Sequence, residues 1–203
     1  MKTITLSSIA ALLCLSTFSL NAQSSALASN APNKTETKTK TTTVNDEFFM
    51  DRYFGIKDSY PALTNLHAAY AASENNKNKF MERYYAIKSV YPNLKAVHDN
   101  YAASDNTMEA FMKKYYEIKE TYPDLSKVYG DFAGSKKTLP EFTKRYYEIK
   151  DSSPSLAEYY GQYAASDNTL VEFTSRYYGI KASKTGMENA YGEFAGSKKK
   201  LSK

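Results

Sequence analysis

The sequence predicts an all-α protein made of tandem helical hairpins, and three observations carry that prediction. Phe49, Phe80, Phe111, Phe142 and Phe173 recur without gaps every 31 residues, a strong repeat signature. Within each repeat the apolar residues follow helical spacing. A proline falls at the same place in four of them, as Pro61, Pro92, Pro123 and Pro154. Counting each leading Phe as position one, the units are 49–79, 80–110, 111–141, 142–172 and 173–203.

Two segments precede the repeats. In residues 1–22, Lys2 is followed by an apolar run interrupted by Ser and Thr. The run is shorter than the ~20 apolar residues of a membrane span and reads as a secretory signal. Cleavage is expected after Ala22, or as late as Ala28. The only cysteine, Cys14, lies inside this segment, so the mature chain has no disulfide and no thiol nucleophile. Residues 23–44 lack aromatics and alternate Lys with Thr. That composition buries too little apolar surface to offset ordering, so a disordered linker is expected. The repeat domain then runs from 45 to 203.

Positions one, five, eight and twelve fall within about 60° on a helical wheel and form one buried stripe of the first helix. The proline at position thirteen removes a helical donor, pushes the residue before it toward extended backbone, and suits the start of a new helix. The second helix is expected to run from that proline through apolar positions fifteen, eighteen, nineteen and twenty-two. Turns such as Ser166-Asp167-Asn168-Thr169 lead into the next unit, and Thr138 with Glu141, like Thr169 with Glu172, has the spacing of a capping box. Glu141–Arg145 and Glu172–Arg176 also have i,i+4 spacing. A kinked coiled coil fits the same apolar steps, but a proline recurring in each internal unit favours hairpins stacked as a short right-handed α-solenoid. The last unit replaces the Tyr/Ser-Pro pair by Lys184-Thr185 and follows with Gly186, which reads as a terminal cap facing water. Units three and five share a Gly-Ser-Lys-Lys segment and units two and four a Ser-Asp-Asn-Thr segment, the mark of a duplicated two-unit block.

The candidate binding residues are the second aromatics of each unit, Phe54, Tyr85, Tyr116, Tyr147 and Tyr178, which point away from the core stripe. The first expectation is that they pack between units; the alternative is an exposed ladder that stacks on sugars or grips a peptide. Lys57, Lys88, Lys119, Lys150 and Lys181 flank them. Their place at a helix C-terminus, complementing the dipole, explains them better than a polyanion stripe. The excess positive charge belongs to the last unit and its Lys-rich tail, so nucleic acid is not an expected partner, although the tail suits weak contact with an anionic surface. Arg145 and Lys150 are read as helix-surface residues of little weight for stability. His67 and His98 share position nineteen with Tyr129, Tyr160 and Tyr191, and read as semi-buried tyrosine substitutes rather than metal ligands.

No phosphate loop, nucleophile elbow or isolated acid pair appears, so neither catalysis nor a cofactor is expected. The resulting expectation is a secreted or periplasmic, non-enzymatic module that binds a protein or peptide, such as an effector or adaptor. A structural or adhesive role in a matrix or cell wall, or carbohydrate binding, is the alternative.

Overall fold

The computed structural model describes residues 48–202; the expected signal and linker, 1–22 and 23–44, lie outside the described residues. Those described are all-helical. Five longer helices, α1 (Phe49–Ser59), α3 (Lys77–Val90), α5 (Met108–Thr121), α7 (Leu139–Ser152) and α9 (Leu170–Ser183), alternate with shorter α2 (His67–Ala72), α4 (His98–Ala103), α6 (Tyr129–Gly134), α8 (Tyr160–Ala165) and α10 (Glu188–Gly196). Each longer helix packs against the short one that follows it, so the ten helices form neighbouring pairs. Hairpins, not a kinked coiled coil, are the local solution.

Caps begin the long helices where the sequence places them. The Asn76 side chain accepts from Lys79 N, and Thr107 accepts from Ala110 N. Both capping boxes are present at Thr138/Glu141 and Thr169/Glu172. The glutamates turn back to these threonines, while Arg145 and Arg176 turn to the next helix, so the expected i,i+4 pairing is not the arrangement adopted.

The second helix is shorter than expected. Position fifteen donates its N–H to the carbonyl of position twelve, as in Leu63–Tyr60 at 3.0 Å and Leu125–Tyr122 at 3.0 Å, closing a tight turn. Leu125 (φ −92°, ψ 33°) and Leu156 (φ −99°, ψ 29°) leave helical geometry, and a 3-10 turn separates this point from the α-helix proper. Apolar residues at positions fifteen, eighteen and nineteen satisfy helical spacing whether or not the backbone between them is continuous, which is why the pattern concealed the break. In unit five, Gly186 (φ 83°) makes the turn without proline, because glycine adopts left-handed backbone at no steric cost.

The expectation of an open stack with a water-facing cap is overturned. The short helices contact each other in succession, α2 to α4, α6, α8 and α10, and α10 then packs on α2. The result is a closed ring with the short helices inside. Each interface repeats one edge-to-face contact between position twenty-two of one unit and position one of the next: Tyr70–Phe80, Tyr101–Phe111, Phe132–Phe142 and Tyr163–Phe173, with ring centroids 5.2–5.4 Å apart. Phe194–Phe49, at 5.3 Å, is the fifth.

The backbone closes in the same register. Phe80 N donates to Asn76 O at 2.9 Å in the first turn of α3, and Phe49 N donates to Lys200 O at 2.6 Å. The carboxyl end therefore supplies the turn that α1 lacks, which is why α1 has 11 residues and α3 has 14. Leu201 joins the core cluster that contains Phe49 and Phe173.

Position twenty-seven staples each unit to the next. Asn75 Nδ2 donates to Ala102 O, Asn106 Nδ2 to Ala133 O and Asn168 Nδ2 to Ala195 O, each at 2.7 Å. Where this position is lysine, it reaches an acid instead: Lys137 meets Asp167, and Lys199 meets Glu74 across the closure at 3.0 Å.

Position four supplies a clamp within each unit. Arg145 Nη2 donates to Tyr163 O at 3.0 Å and Asn168 O at 2.7 Å, and its guanidinium lies 4.2 Å from the centre of the Tyr163 ring. Arg83 and Arg176 make the equivalent bonds, and Lys114 holds Ser135 O and Lys137 O. These cations tie the end of a short helix to the turn that follows it, adding to the serine bonds already made to the helix-end carbonyl. Arg145 is therefore not the dispensable surface residue that the sequence reading made it. Arg145→Ala is expected to cost about 2–3 kcal/mol, by loss of charge-assisted bonds to Tyr163 O and Asn168 O and of the guanidinium's contact with the Tyr163 ring. Lys150→Ala should cost well under ~1 kcal/mol. Urea denaturation of the two variants side by side checks the contrast.

Candidate functional site: the rim and the centre of the ring

The sequence-predicted binding residues lie on the outside. Phe54, Tyr85, Tyr116, Tyr147 and Tyr178 are 41–53% exposed, so the expectation that they pack between units is corrected. Each touches the position-five ring of its own helix edge-on, as Tyr146–Tyr147 does at 5.3 Å. That contact shields one side of the ring and leaves the other to solvent, because a residue six places into the helix points away from both the inner helix and the neighbouring unit. The flanking lysines lie in the last turns of these helices, as expected. Lys57, Lys88, Lys119 and Lys150 also place their ammonium groups 5.5–5.9 Å from the position-six ring of the same helix, while Lys181 lies 5.7 Å from the Tyr177 ring. Exposed aromatic and cation thus form a repeated rung on each long helix.

Both histidines are buried and structural. His67 Nε2–H donates to Tyr60 O, and His98 Nε2–H to Tyr91 O, each at 2.9 Å. In other units the tyrosine hydroxyl makes a comparable reach, from Tyr129 to Pro123 O at 2.6 Å and from Tyr160 to Pro154 O at 2.9 Å.

A second constellation went unseen in the sequence. The short helices enclose a central cavity of about 200 Å³, and position twenty-one of each unit lines it: Ala69, Asn100, Asp131, Gln162 and Glu193. Almost every other inward position is repeated, but this one differs in all five units. Asn100 Nδ2 donates to Asp131 Oδ1 at 3.2 Å. Gly130 and Gly161 make room for these side chains, because a Cβ on Gly130 would strike the Asn100 amide and one on Gly161 the Asp131 carboxylate. The signal was present in the sequence as glycine at position twenty beside a polar residue at twenty-one. Repetition hides it, because no one residue recurs at position twenty-one.

Asp131 and Glu193 are partly exposed within this cavity, yet five helices surround it, and the protein mass disfavours charge. Burial pushes the Asp131 carboxyl up to about 7, Asp99 raising it further and the Asn100 hydrogen bond opposing. Burial likewise lifts Glu193 to about 8, with Asp131 and Asp99 adding to the effect. The centre therefore exchanges protons near neutral pH. Beyond the small residues of position twenty-four stands a ring of serines, Ser73, Ser104, Ser135, Ser166 and Ser197, each donating to the carbonyl three residues earlier at 2.8–2.9 Å. These hydroxyls cap the short helices. Among the described residues, no group of three or more His, Cys, Asp or Glu side chains is placed to hold a metal ion, and no helix is long and apolar enough to cross a membrane. No protein family, curated protein or solved structure matches the chain.

Proposed function

We propose that the chain is an exported, non-enzymatic binding module whose ring displays its aromatic–lysine rungs to a repeating ligand, of which an extracellular polysaccharide is the best chemical fit. The observation that carries this reading is the exposure of a large aromatic ring at the same place on all five long helices, with a lysine beside it on four of them. A half-shielded tyrosine offers one free face for stacking on a sugar, while its hydroxyl and the neighbouring ammonium supply hydrogen bonds. Export rests on the amino-terminal sequence. A peptide laid along an elongated groove fits less well, because a closed ring has no open concave face of the solenoid kind. The adhesive alternative shares the multivalent logic: several weak rungs on one rigid frame bind a repeating surface far more tightly than any one alone.

Tyr116→Ser together with Tyr147→Ser tests the proposal. Retention on insoluble polysaccharides such as chitin, cellulose and peptidoglycan is expected to fall about tenfold or more, since avidity drops steeply with valence. The midpoint of thermal unfolding should barely move, because both rings are near half exposed and surface changes cost about 0.5 kcal/mol or less. If the parent binds none of these polymers but forms a one-to-one complex with a soluble protein, the polysaccharide reading is overturned. A clear loss of stability in the double variant would show that the rungs are scaffold.

A further inference from the structure

Between the first and second units, beside the unit-two rung, lies a groove of about 490 Å³, within the size range of small-molecule sites (roughly 300–1,000 Å³). Leu63, Tyr84 and Pro92 form apolar walls, and Lys88, Lys95 and Asp99 bring charge to it. Two features make this interface unlike the other four, beside a histidine at position nineteen that it shares only with His67 of unit one. Position twenty is Asp99, where the other units have Ala68, Gly130, Gly161 and Gly192. Position sixteen is Lys95, where they have Thr64, Ser126, Ala157 and Glu188. The fold does not ask for a carboxylate here, since four units build the same interface without one.

Asp99 is poorly compensated. Its carboxylate accepts from Asn100 N at 3.0 Å, and among the described residues no cation lies within ion-pair distance of it. Burial lifts its carboxyl to about 6, and Asp99 in turn helps to raise the Tyr84 hydroxyl, after burial itself. Asp99 is partly buried, and a partly buried carboxylate without a counter-charge carries a desolvation cost that an ammonium group arriving with a ligand reduces. The bland alternative is that Asp99 awaits Lys95 four residues earlier on the same face. That pairing leaves the groove itself unexplained.

The geometry points to a binding site for a small zwitterion with an apolar side chain, an amino acid in chemical class, with its ammonium on Asp99, its carboxylate toward Lys88 and Lys95, and its side chain against Leu63, Tyr84 and Pro92. The site shares Lys88 with the unit-two rung, but Asp99 and Lys95 belong to it alone, and the variants below are confined to them.

Calorimetric titration of the mature chain with L-phenylalanine, phenethylamine and 3-phenylpropionate tests the assignment. Phenylalanine is expected to bind best, the amine more weakly and the acid weakest. Asp99→Asn should weaken phenylalanine about tenfold or more, as loss of a charged partner does. Lys95→Met should weaken phenylalanine but not phenethylamine. If Asp99→Asn fails to fold, Asp99→Gly takes its place, since three units already carry glycine there. Absence of saturable binding of all three compounds to the folded protein overturns the site. So does equal binding of phenylalanine by either Asp99 variant, and phenethylamine binding as well as phenylalanine overturns the zwitterion.

Discussion

Excision of residues 111–141, one whole unit in register, is expected to abolish the compact monomer. In an open stack each unit needs only its neighbours, and such a deletion leaves a shorter folded protein. In the ring, every interface turns the chain by a fifth of a circle, fixed by the position-one ring against position twenty-two and by the staple at position twenty-seven. Four units at that curvature leave a gap. Phe49 and Phe194, both buried in the closed ring, would then face water, together with the cluster they share with Met50, Tyr53 and Ala195. Uncovering aromatic side chains of this size costs about 1.5–3 kcal/mol each. The deletion should therefore self-associate through its open ends or lose most of its stability. Light scattering after gel filtration, with a thermal melt, checks this. A rearranged chain is the matching control. Because Phe49 N meets Lys200 O as one turn of helix meets the next, a chain running 80–203 and then 49–79 keeps every interface and should remain a monomer of parental stability. A deletion variant that is monomeric and melts with the parent would contradict ring closure as the source of stability.

Stability is expected to fall as pH rises from about 5 to about 8, the reverse of ordinary acid lability. Asp131 moves from an ordinary 3.8 to about 7, and Glu193 from 4.5 to about 8. Across that window the folded chain holds protons that the unfolded chain has released, so the stability gradient with pH is negative. The stabilisation is complete below the unfolded values, is lost as pH passes the folded ones, and levels off above about 8. A loss on the order of 3–5 kcal/mol is expected, since both side chains are partly exposed and solvent screening offsets part of the charge penalty. Glu141 and Glu172 act in the opposite sense at lower pH. Their hydrogen bonds to Thr138 and Thr169 hold them below the usual carboxylate range, and that contribution disappears when they protonate. Stability should therefore peak near pH 5. Urea midpoints at a series of pH values measure the curve, and Asp131→Asn with Glu193→Gln should remove most of it, leaving the smaller fall near pH 6 that Asp99, itself raised by burial, contributes. A parent protein whose stability is level or rising between pH 5 and 8 would remove the proton-holding role from the centre.

What the sequence by itself determined is the unit and its hairpin. The recurring phenylalanines, the Ile of position eight, the proline and the threonine caps all act over a few residues, where spacing and geometry are nearly the same thing. The buried stripe of Phe142 and Ile149, and the capping box at Thr138 and Glu141, follow directly. Closure was decided only in three dimensions. It is the sum of five small rotations, and no local pattern states whether such a sum reaches a full circle. One trace was readable in advance: the Gly-Ser-Lys-Lys segments of units three and five face acids in the units that follow, Asp167 and Glu74, and the second of those pairs exists only if the last unit meets the first. Tertiary structure likewise decided that Arg145 clamps a helix end rather than lying on the surface, since the carbonyls it holds lie 18 and 23 residues away. It decided that Tyr147 stays outside, because a wheel gives the direction of a side chain but not what stands there. The centre also belongs to tertiary structure: Asn100, Asp131, Gln162 and Glu193 are separated by whole units in the chain, and only the closed ring brings their side chains to one cavity.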